Sequence, residues 1–180
     1  MRFETTPIAG VVIVELKTFG DERGFFAETY QLQRFAEGGI RERFVQDNHS
    51  RSNAGVLRGL HYQIEQPQGK LIQVVCGEIF DVAVDLRRSS PTFGQWFGLR
   101  LGGEGRRLLY VPPGCAHGFY VTSGPADVCY KCTDYYSPQH ERTLLWSDAE
   151  LGIEWPLAGE PIVSGKDRQG QPFTRCETYA

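Results

Sequence analysis

Apolar and alternating runs recur at short intervals along the chain, with glycine, proline, serine and aspartate between them. Such runs predict β-strands, and the residues between them predict turns. The runs are "GVVIVEL", "FFAETY", "RFVQDNHS", "LIQVVCG", "EIFDVAVDL", "QWFGLRL", "RLLYVPPG", "AHGFYV", "ADVCYKC" and "TLLW". Many short strands favour a sandwich or a barrel. Only the stretch from Gln31 toward Gly38 predicts an early helix, which ends at paired glycines.

The run "EIFDVAVDL" carries two carboxylates in an otherwise apolar segment. Side chains alternate along a strand, so one face holds Phe80, Val82, Val84 and Leu86. The opposite face holds Ile79, Asp81, Ala83 and Asp85. If both faces pack, as in a jelly roll, the aspartates must line a cavity or meet water, because buried carboxylates need partners. Alternatively, both aspartates face solvent, as aspartates usually do.

The length and composition predict one globular domain over residues 1–180, loop-rich from about residue 157. The 180 residues are 41% hydrophobic and 23% charged, typical of a soluble domain. A net charge of −3 gives no general attraction for nucleic acid or an anionic membrane. We therefore expect neither as a partner. With no secretory leader and no membrane-spanning stretch in the sequence, we expect a cytoplasmic protein.

Five cysteines are an odd number, and without a secretory signal they favour reduced thiols. Cys129 and Cys132 form a C-x-x-C pattern within a predicted strand. Residues three apart in a strand point to opposite faces, which suits neither a shared metal nor a disulfide. We expect these two thiols to pack instead.

Two histidine motifs resemble the paired motifs of the cupin superfamily, a jelly-roll β-barrel or double-stranded β-helix. His61 closes a G-x5-H pattern that begins at Gly55, and His117 closes P-x-G-x-x-H from Pro112. Metal-binding cupins continue the first motif as H-x-H, but Gln63 stands at that second position. An amide oxygen is a poor ligand for zinc, iron or copper. We expect no metal and no cofactor; a metal-dependent oxygenase or isomerase is the less favoured alternative.

Longer segments resemble the dTDP-4-dehydrorhamnose 3,5-epimerase family from about Phe3 through Asp167. They include "FVQDNHSRS", "GVLRGLHYQ", "QGKLIQVVCGEIFDVAVDLRRSSPTFGQW", "PPGCAHGF", "YKCTDYYSPQHE" and "SGKD", in the order found in the family. The resemblance implies a cofactor-independent isomerase. Its substrate would be dTDP-4-dehydro-6-deoxy-D-glucose, a dTDP-4-keto-6-deoxyhexose, and its product dTDP-4-dehydro-L-rhamnose. Protons would be removed and returned on both sides of the C4 ketone.

The resemblance assigns catalytic roles to His61 as base, Asp167 as its carboxylate partner and Tyr130 as acid on the other sugar face. It places Lys70 and His117 near the sugar oxygens, with Lys70 also part of the catalytic set. These roles suit the chemistry. Histidine accepts a proton near neutral pH, a carboxylate orients it, and a cation stabilises the developing oxyanion. Inversion requires the proton to return from the opposite face.

The same residues have other interpretations when each is taken singly. Tyr130 could be a packed strand tyrosine, and His61 a structural histidine. Adjacent strand residues point to opposite faces, so only one of Tyr130 and Lys131 should enter a cavity. Arg58 and His61 are three apart, so both can face one ligand only if the strand is irregular. We predict that irregularity at Gly59.

The resemblance also implies a site for the nucleotide. Arg23 and Arg58 match phosphate-binding positions, a role that guanidinium suits through bidentate hydrogen bonds. Tyr136 matches an aromatic residue that stacks on thymine. The other matching binding positions are Glu28, Gln46, Asn48, Glu141 and Lys166. Taken alone, Arg23 and Glu28 would be solvated surface charges.

Family members are typically homodimers in which N-terminal segments cross to the partner. The resemblance therefore implies that Arg23 and Glu28 act in the other subunit's site. Two further functions stay open from the sequence. The chain could epimerise a single carbon of a related dTDP-4-keto sugar, or bind a sugar nucleotide as a cupin without turnover.

Overall fold

The computed structural model describes residues 1–102 and 106–180, and it confirms a mainly β fold with short helices. The strands are β1 Arg2–Thr5, β2 Val12–Glu15, β3 Thr18–Asp21, β4 Gly24–Ala27, β5 Gln46–Ser52, β6 Val56–Gln63, β7 Lys70–Asp85, β8 Trp96–Gly102, β9 Arg107–Val111, β10 Cys115–Cys132, β11 Glu141–Thr143 and β12 Ile162–Val163. The helices are α1 Leu32–Glu37 and α2 Gly165–Arg168.

One large sheet contains all strands except β3 and β4, which form a separate two-stranded hairpin. Its hydrogen-bonded order is β1-β2-β9-β7-β10-β6-β11, with β5 also on β10, β8 also on β7 and β12 also on β6. This arrangement is compatible with the predicted jelly roll. Over the two described ranges, the edge strands β1 and β11 do not pair to close the sheet into a barrel.

Two long bent strands form the centre of the sheet. The sequence pattern predicted a break near Gly77 and another after Val121, giving four strands, but the structure has only β7 and β10 there. They pair from Cys115 opposite Asp85 to Cys132 opposite Lys70, with register shifts in between. Gly77 has φ +74°, and a Cβ atom on it would lie 2.6 Å from the Pro125 carbonyl oxygen. Glycine therefore lets β7 bend where the pattern indicated an end.

The predicted first helix is confirmed as α1. The side chain of Gln31 caps its start by accepting a 2.6 Å hydrogen bond from the Arg34 backbone N–H. The helix ends at Gly38, the first of the paired glycines. Phe35 is fully buried and packs edge-to-face on Phe3 and Tyr30. One apolar side chain thus anchors this short helix to the sheet.

Both faces of β7 are buried in its second half, from Ile79 to Asp85, as the jelly-roll prediction requires. Ile79 and Ala83 belong to one apolar cluster, whereas Val82, Val84 and Leu86 belong to another. Both aspartates on this strand, Asp81 and Asp85, have no exposed surface. The alternative that they face solvent is therefore wrong.

Asp85 is held by a network of hydrogen-bond donors beyond the end of β7. Its carboxylate accepts from the Arg87 guanidinium at 2.8 Å, from Ser90 Oγ at 2.5 Å and from Thr92 Oγ1 at 2.7 Å. Burial alone would raise the pKa of Asp85, but these donors outweigh burial and lower the pKa to about 2. This buried carboxylate therefore stays ionised and ties the loop after β7 in place.

The segment after residue 157 is loop-rich, as expected, and it is attached to the rest of the fold at several points. β12 pairs in parallel with β6, and α2 follows directly. Leu144 forms a bridge with Gln171, and Arg87 with Tyr179. No helix in the described ranges is long and apolar enough to span a membrane.

Candidate active site

A cavity of about 530 Å³ opens between β5, β6, β7, β10 and the C-terminal segment. We call it the main cavity. Polar residues lining it include Arg58, His61, Lys70, His117, Tyr130, Lys166 and Asp167. The structure therefore brings all four predicted catalytic residues to one cavity. They come from the strands β6, β7 and β10 and from the helix α2.

His61 and Asp167 form a close pair in the main cavity. His61 Nε2 lies 2.5 Å from Asp167 Oδ1, and the Gly59 backbone N–H donates to Asp167 Oδ2 at 3.4 Å. Asp167 is 3% exposed, and α2 is capped by Ser164, whose Oγ accepts from the Asp167 backbone N–H. Burial alone would raise the pKa of Asp167, but His61 and the neighbouring donors lower it below its usual value. An ionised carboxylate thus orients the imidazole.

The predicted irregularity at Gly59 is confirmed. Along the ladder between β10 and β6, His117 pairs with His61 and Phe119 pairs with Arg58, so β6 carries one extra residue there. Gly59 has φ +117°, and a Cβ atom on it would lie 2.6 Å from Gly118 Cα. This bulge turns both Arg58 and His61 into the main cavity.

His117 and Asp81 form a second imidazole–carboxylate pair, next to His61 on the neighbouring strand. His117 Nε2 lies 2.9 and 3.0 Å from the two oxygens of Asp81. Asp81 is fully buried and His117 is 7% exposed. The carboxylate predicted from the alternation of β7 therefore lies behind a cavity residue and fixes the orientation of its ring.

Lys70 and Tyr130 lie on adjacent strands at the wall of the main cavity. Lys70 Nζ donates to the His61 carbonyl oxygen at 3.4 Å. Burial lowers the pKa of Lys70 and raises the pKa of Tyr130. Lys131 pairs with Asp47 at 2.9 Å and does not line the main cavity, which confirms that only Tyr130 enters it.

A second cavity of about 270 Å³ shares His61, Lys70 and Tyr130 with the main cavity. It adds four of the predicted binding residues: Gln46, Asn48, Tyr136 and Glu141. Glu141 accepts hydrogen bonds from Tyr136 Oη at 2.7 Å and Lys166 Nζ at 2.5 Å. Burial alone would raise the pKa of Glu141, but Lys166 and Tyr136 outweigh it and lower the pKa.

Arg23 and Glu28 lie outside both cavities of their own chain. Arg23 is at the turn of the β3–β4 hairpin and pairs with Asp21, with most of its side chain exposed. Glu28 pairs with Arg34 of α1 at 2.7 Å. The structure of one chain does not bring these two predicted binding residues to the others.

Ser50 is a cavity residue that the sequence interpretation missed. Its hydroxyl oxygen is buried against the main cavity and has no hydrogen-bond partner among the described residues. The signal was present in "FVQDNHSRS", since Gln46, Asn48, Ser50 and Ser52 alternate onto one face of β5. Ser52 already accepts a hydrogen bond from Arg58 Nε at 2.9 Å. An unpartnered buried hydroxyl at a cavity wall can bind a ligand oxygen.

The described residues contain no group of three or more histidine, cysteine, aspartate or glutamate side chains that could hold a metal ion. All five cysteines are free thiols. Cys132 is buried and lines the second cavity, whereas Cys129 is partly exposed. The two thiols of the C-x-x-C pattern therefore sit in different surroundings.

A sequence model of the family described as dTDP-4-dehydrorhamnose 3,5-epimerase matches residues 5–175. The chain belongs to this family. A dTDP-4-dehydrorhamnose 3,5-epimerase of Pseudomonas aeruginosa is 53% identical over 180 residues, which cover 99% of each chain. The resemblance seen in the sequence motifs is confirmed.

Solved structures of epimerases match the fold of this chain over nearly its whole length. A dTDP-6-deoxy-D-glucose-3,5-epimerase from Legionella pneumophila, in complex with dTDP-4-keto-L-rhamnose, is 52% identical. The match has a TM-score of 0.94 and covers 98% of this chain and 94% of that one. A 3′-monoepimerase from Streptomyces bikiniensis, in complex with dTDP-quinovose, is 30% identical with a TM-score of 0.88, covering 97% and 88%. The family thus includes members named for one carbon as well as for two.

Proposed function

We propose that this protein is a dTDP-4-dehydro-6-deoxy-D-glucose 3,5-epimerase that produces dTDP-4-dehydro-L-rhamnose without a cofactor. Family membership and 53% identity to a relative of that name support the proposal. The observation that carries it is the His61–Asp167 pair, which shares one cavity with Lys70 and Tyr130. A base, its carboxylate, a cation and a phenol around one space are what this reaction needs.

His61 is the base that removes the hydrogen next to the C4 ketone. Asp167 fixes the orientation of the ring and stabilises the imidazolium that forms. Because Asp167 is buried and ionised, this stabilisation acts in a medium of low dielectric constant. As the proton leaves, negative charge develops on the C4 oxygen.

Lys70 stabilises that developing enolate. A cation aimed at the oxyanion acts more strongly in a partly buried site than in bulk water, and Lys70 is partly buried, which lowers its pKa. His117 assists from β10, with its ring held by Asp81. Both residues line the main cavity together with His61.

Tyr130 returns the proton on the opposite face of the sugar. Burial raises the pKa of Tyr130, so the phenol stays protonated at neutral pH and can act as an acid toward a basic enolate. His61 lies on β6 and Tyr130 lies in the half of β10 that pairs with β5. The two groups therefore approach the cavity from different strands.

The nucleotide lies across the two cavities. Arg58 binds the diphosphate, with Ser50 as a further hydroxyl donor, and Tyr136 stacks on the thymine. The remaining contacts come from Gln46, Asn48, Glu141 and Lys166. This arrangement is supported by the continuity of the cavities, which share His61, Lys70 and Tyr130.

The working unit is a homodimer in which the β3–β4 hairpin crosses to the partner. In one chain this hairpin forms its own sheet, and Phe19, Phe25 and Phe26 are 55%, 69% and 69% exposed. Three exposed phenylalanines on one small hairpin favour burial against a second copy. Docking there would deliver Arg23 and Glu28 to the partner's nucleotide site.

Incubation of the protein with the dTDP-4-keto sugar in deuterated water tests the activity. Exchange at both C3 and C5 is the expected result, and exchange at neither position would reject an epimerase. Exchange at one carbon would make the protein a single-carbon epimerase, as the Streptomyces bikiniensis relative is named. A cupin that only binds the nucleotide would bind dTDP and show no exchange. A cytoplasmic location, and the absence of nucleic-acid and membrane partners, stay predictions of the sequence.

A further inference from the structure

The loop of residues 133–137, which we call the tyrosine loop, carries two exposed aromatic rings. Tyr135 is 63% exposed and Tyr136 is 51% exposed. An exposed loop would ordinarily be mobile, but glutamine side chains hold this backbone. Gln46 Oε1 accepts from the Tyr136 N–H at 2.9 Å, and Gln68 Nε2 donates to the Asp134 carbonyl at 2.8 Å.

Gln63, at the end of β6, makes two hydrogen bonds to this loop and one to the turn that follows β6. Its Nε2 donates to the carbonyl oxygens of Tyr135 at 3.2 Å and Gln66 at 2.8 Å. Its Oε1 accepts from the Ser137 N–H at 2.8 Å. The side chain thus binds the peptide groups on both sides of Tyr136. Gln63 is only 3% exposed.

A glutamine is well suited to this position because the site needs two donors and one acceptor in a neutral group. A glutamate would place an acceptor oxygen against two carbonyl oxygens, which also accept. A histidine has only two ring nitrogens, so it cannot make all three hydrogen bonds. Gln63 is not among the residues that line either cavity. Its amide is therefore used within the protein, at the position where metal-binding cupins carry a histidine.

The far end of the Tyr136 ring is fixed from the same part of the sheet. Tyr136 Oη donates to Glu141 at 2.7 Å, and Glu141 is the strand partner of Gln63 between β11 and β6. Backbone and hydroxyl are thus both anchored to β6 and its neighbour. A ring held in place before binding avoids the ordering cost that a mobile ring incurs when it meets a ligand.

We propose that Gln63 is a positioning residue for nucleotide recognition, which clamps residues 135–137 so that Tyr136 is ready to stack on the base of dTDP. This inference rests on the proposed function, in which Tyr136 contacts thymine. Gln63 acts through Tyr136 and does not touch the substrate.

Calorimetric titration with dTDP tests the proposal on four proteins: wild type, Gln63→Met, Tyr136→Ala and the double variant. Gln63→Met should weaken dTDP binding about tenfold and leave kcat at saturating substrate within about twofold. In the Tyr136→Ala background the same change should weaken binding by less than about twofold, because its effect passes through the missing ring.

Tyr62→Phe is the matched control on the same strand. It removes the hydrogen bond from Tyr62 Oη to the Glu177 carbonyl at 2.8 Å, on the side of the C-terminal segment. This change should lower Tm without changing dTDP affinity.

Unchanged affinity in a folded Gln63→Met protein, or losses that add fully in the double variant, would overturn the proposal. Binding of dTDP to the wild type tests the proposed function separately, since it does not depend on Gln63.

Amide hydrogen exchange of the unliganded wild type keeps the proposal testable if Gln63→Met fails to fold. The Ser137 amide, which donates to Gln63 Oε1, should exchange at least about 100-fold more slowly than in an unstructured peptide. Exchange of this amide at an unprotected rate would show that Gln63 does not clamp the tyrosine loop.

Discussion

His61 Nε2 lies 2.5 Å from Asp167 Oδ1, although the two residues are 106 positions apart. The Asp167 carboxylate also accepts a hydrogen bond from the Gly59 backbone N–H, and within the described residues His61 is the ionisable side chain that pairs with it, so it can orient this imidazole. We predict that Asp167→Asn lowers kcat by a factor of about 100 to 10,000, because the ring loses its tautomer preference and its counter-charge. Steady-state kinetics with the dTDP-4-keto sugar measure this.

Asp47→Asn is the control for this change, since Asp47 is an exposed carboxylate paired with Lys131 away from the main cavity. It should leave kcat unchanged. If Asp167→Asn retained more than about a tenth of the wild-type kcat, the base would not depend on its carboxylate.

Lys70 is costly to keep charged, because burial lowers its pKa below the ordinary 10.5. Lys70→Met should lower kcat about 100-fold or more through loss of the oxyanion partner. The same change should raise Tm at neutral pH, because folding no longer buries an ammonium.

The sign of this stability effect follows from the direction of the pKa shift. The penalty is full where Lys70 is charged in both states, and it disappears once pH exceeds the unfolded value of 10.5. The gain in Tm should therefore shrink as pH rises toward that value.

The control is Lys131→Met, outside the main cavity, which should leave kcat unchanged. A lower Tm for Lys70→Met at neutral pH would refute the prediction.

Gly59 allows β6 to bulge against β10 where the two cavity histidines pair. In Gly59→Ala the new Cβ would lie 2.6 Å from Gly118 Cα and 2.8 Å from the His117 carbonyl oxygen, at φ +117°. Both contacts are backbone atoms of β10, which cannot move aside without disturbing the sheet. We therefore expect a loss of about 3 kcal/mol or more in unfolding free energy. Denaturant unfolding checks this. Gly102→Ala, whose Cβ would meet no atom of the described residues within 4 Å, should change stability little; equal losses would mean that the bulge is not tight.

Part of this site could be predicted from local sequence, and the rest came from the family resemblance. The resemblance, carried by segments such as "GVLRGLHYQ", implied His61, and the three-residue spacing from Arg58 then required a bulge at Gly59. Alternation along β7 placed Asp81 on a polar face that would need partners if both faces were packed. The family resemblance supplied Asp167, because nothing in the local sequence points from residue 61 to residue 167.

What the sequence pattern missed depends on contacts between distant segments. Gly77 indicated the end of a strand, but β10 bends at the same level and the ladder continues past it. Local pattern cannot show that two strands bend together. The contacts of Gln63 with the tyrosine loop are similarly invisible, since they join a strand end to a turn more than 70 residues away.

Asp85 should make stability depend on pH in the acid range. Its pKa is lowered to about 2 from an ordinary 3.8, so its contribution is full above 3.8 and is lost as pH falls toward 2. At neutral pH we expect Asp85→Asn to cost about 2 kcal/mol, the value of such a shift. Urea unfolding at pH 7, 4 and 2.5 should show the difference from wild type shrinking; a constant difference would mean that the carboxylate charge is not the cause.

Arg23 and His61 should act in different subunits if the β3–β4 hairpin crosses to the partner. Arg23 is exposed and, within the part of its own chain that the structure describes, pairs only with Asp21, whereas His61 lines the main cavity. We expect Arg23→Ala and His61→Ala each to be nearly inactive as homodimers. The two variants are then denatured and refolded as a mixture. In each mixed dimer one of the two sites should be intact, because both substitutions fall in the other site. Random pairing makes half of the dimers mixed, so about a quarter of wild-type activity should return. Refolding each variant alone is the control, and a mixture no more active than its components would place Arg23 in its own chain's site or outside any site.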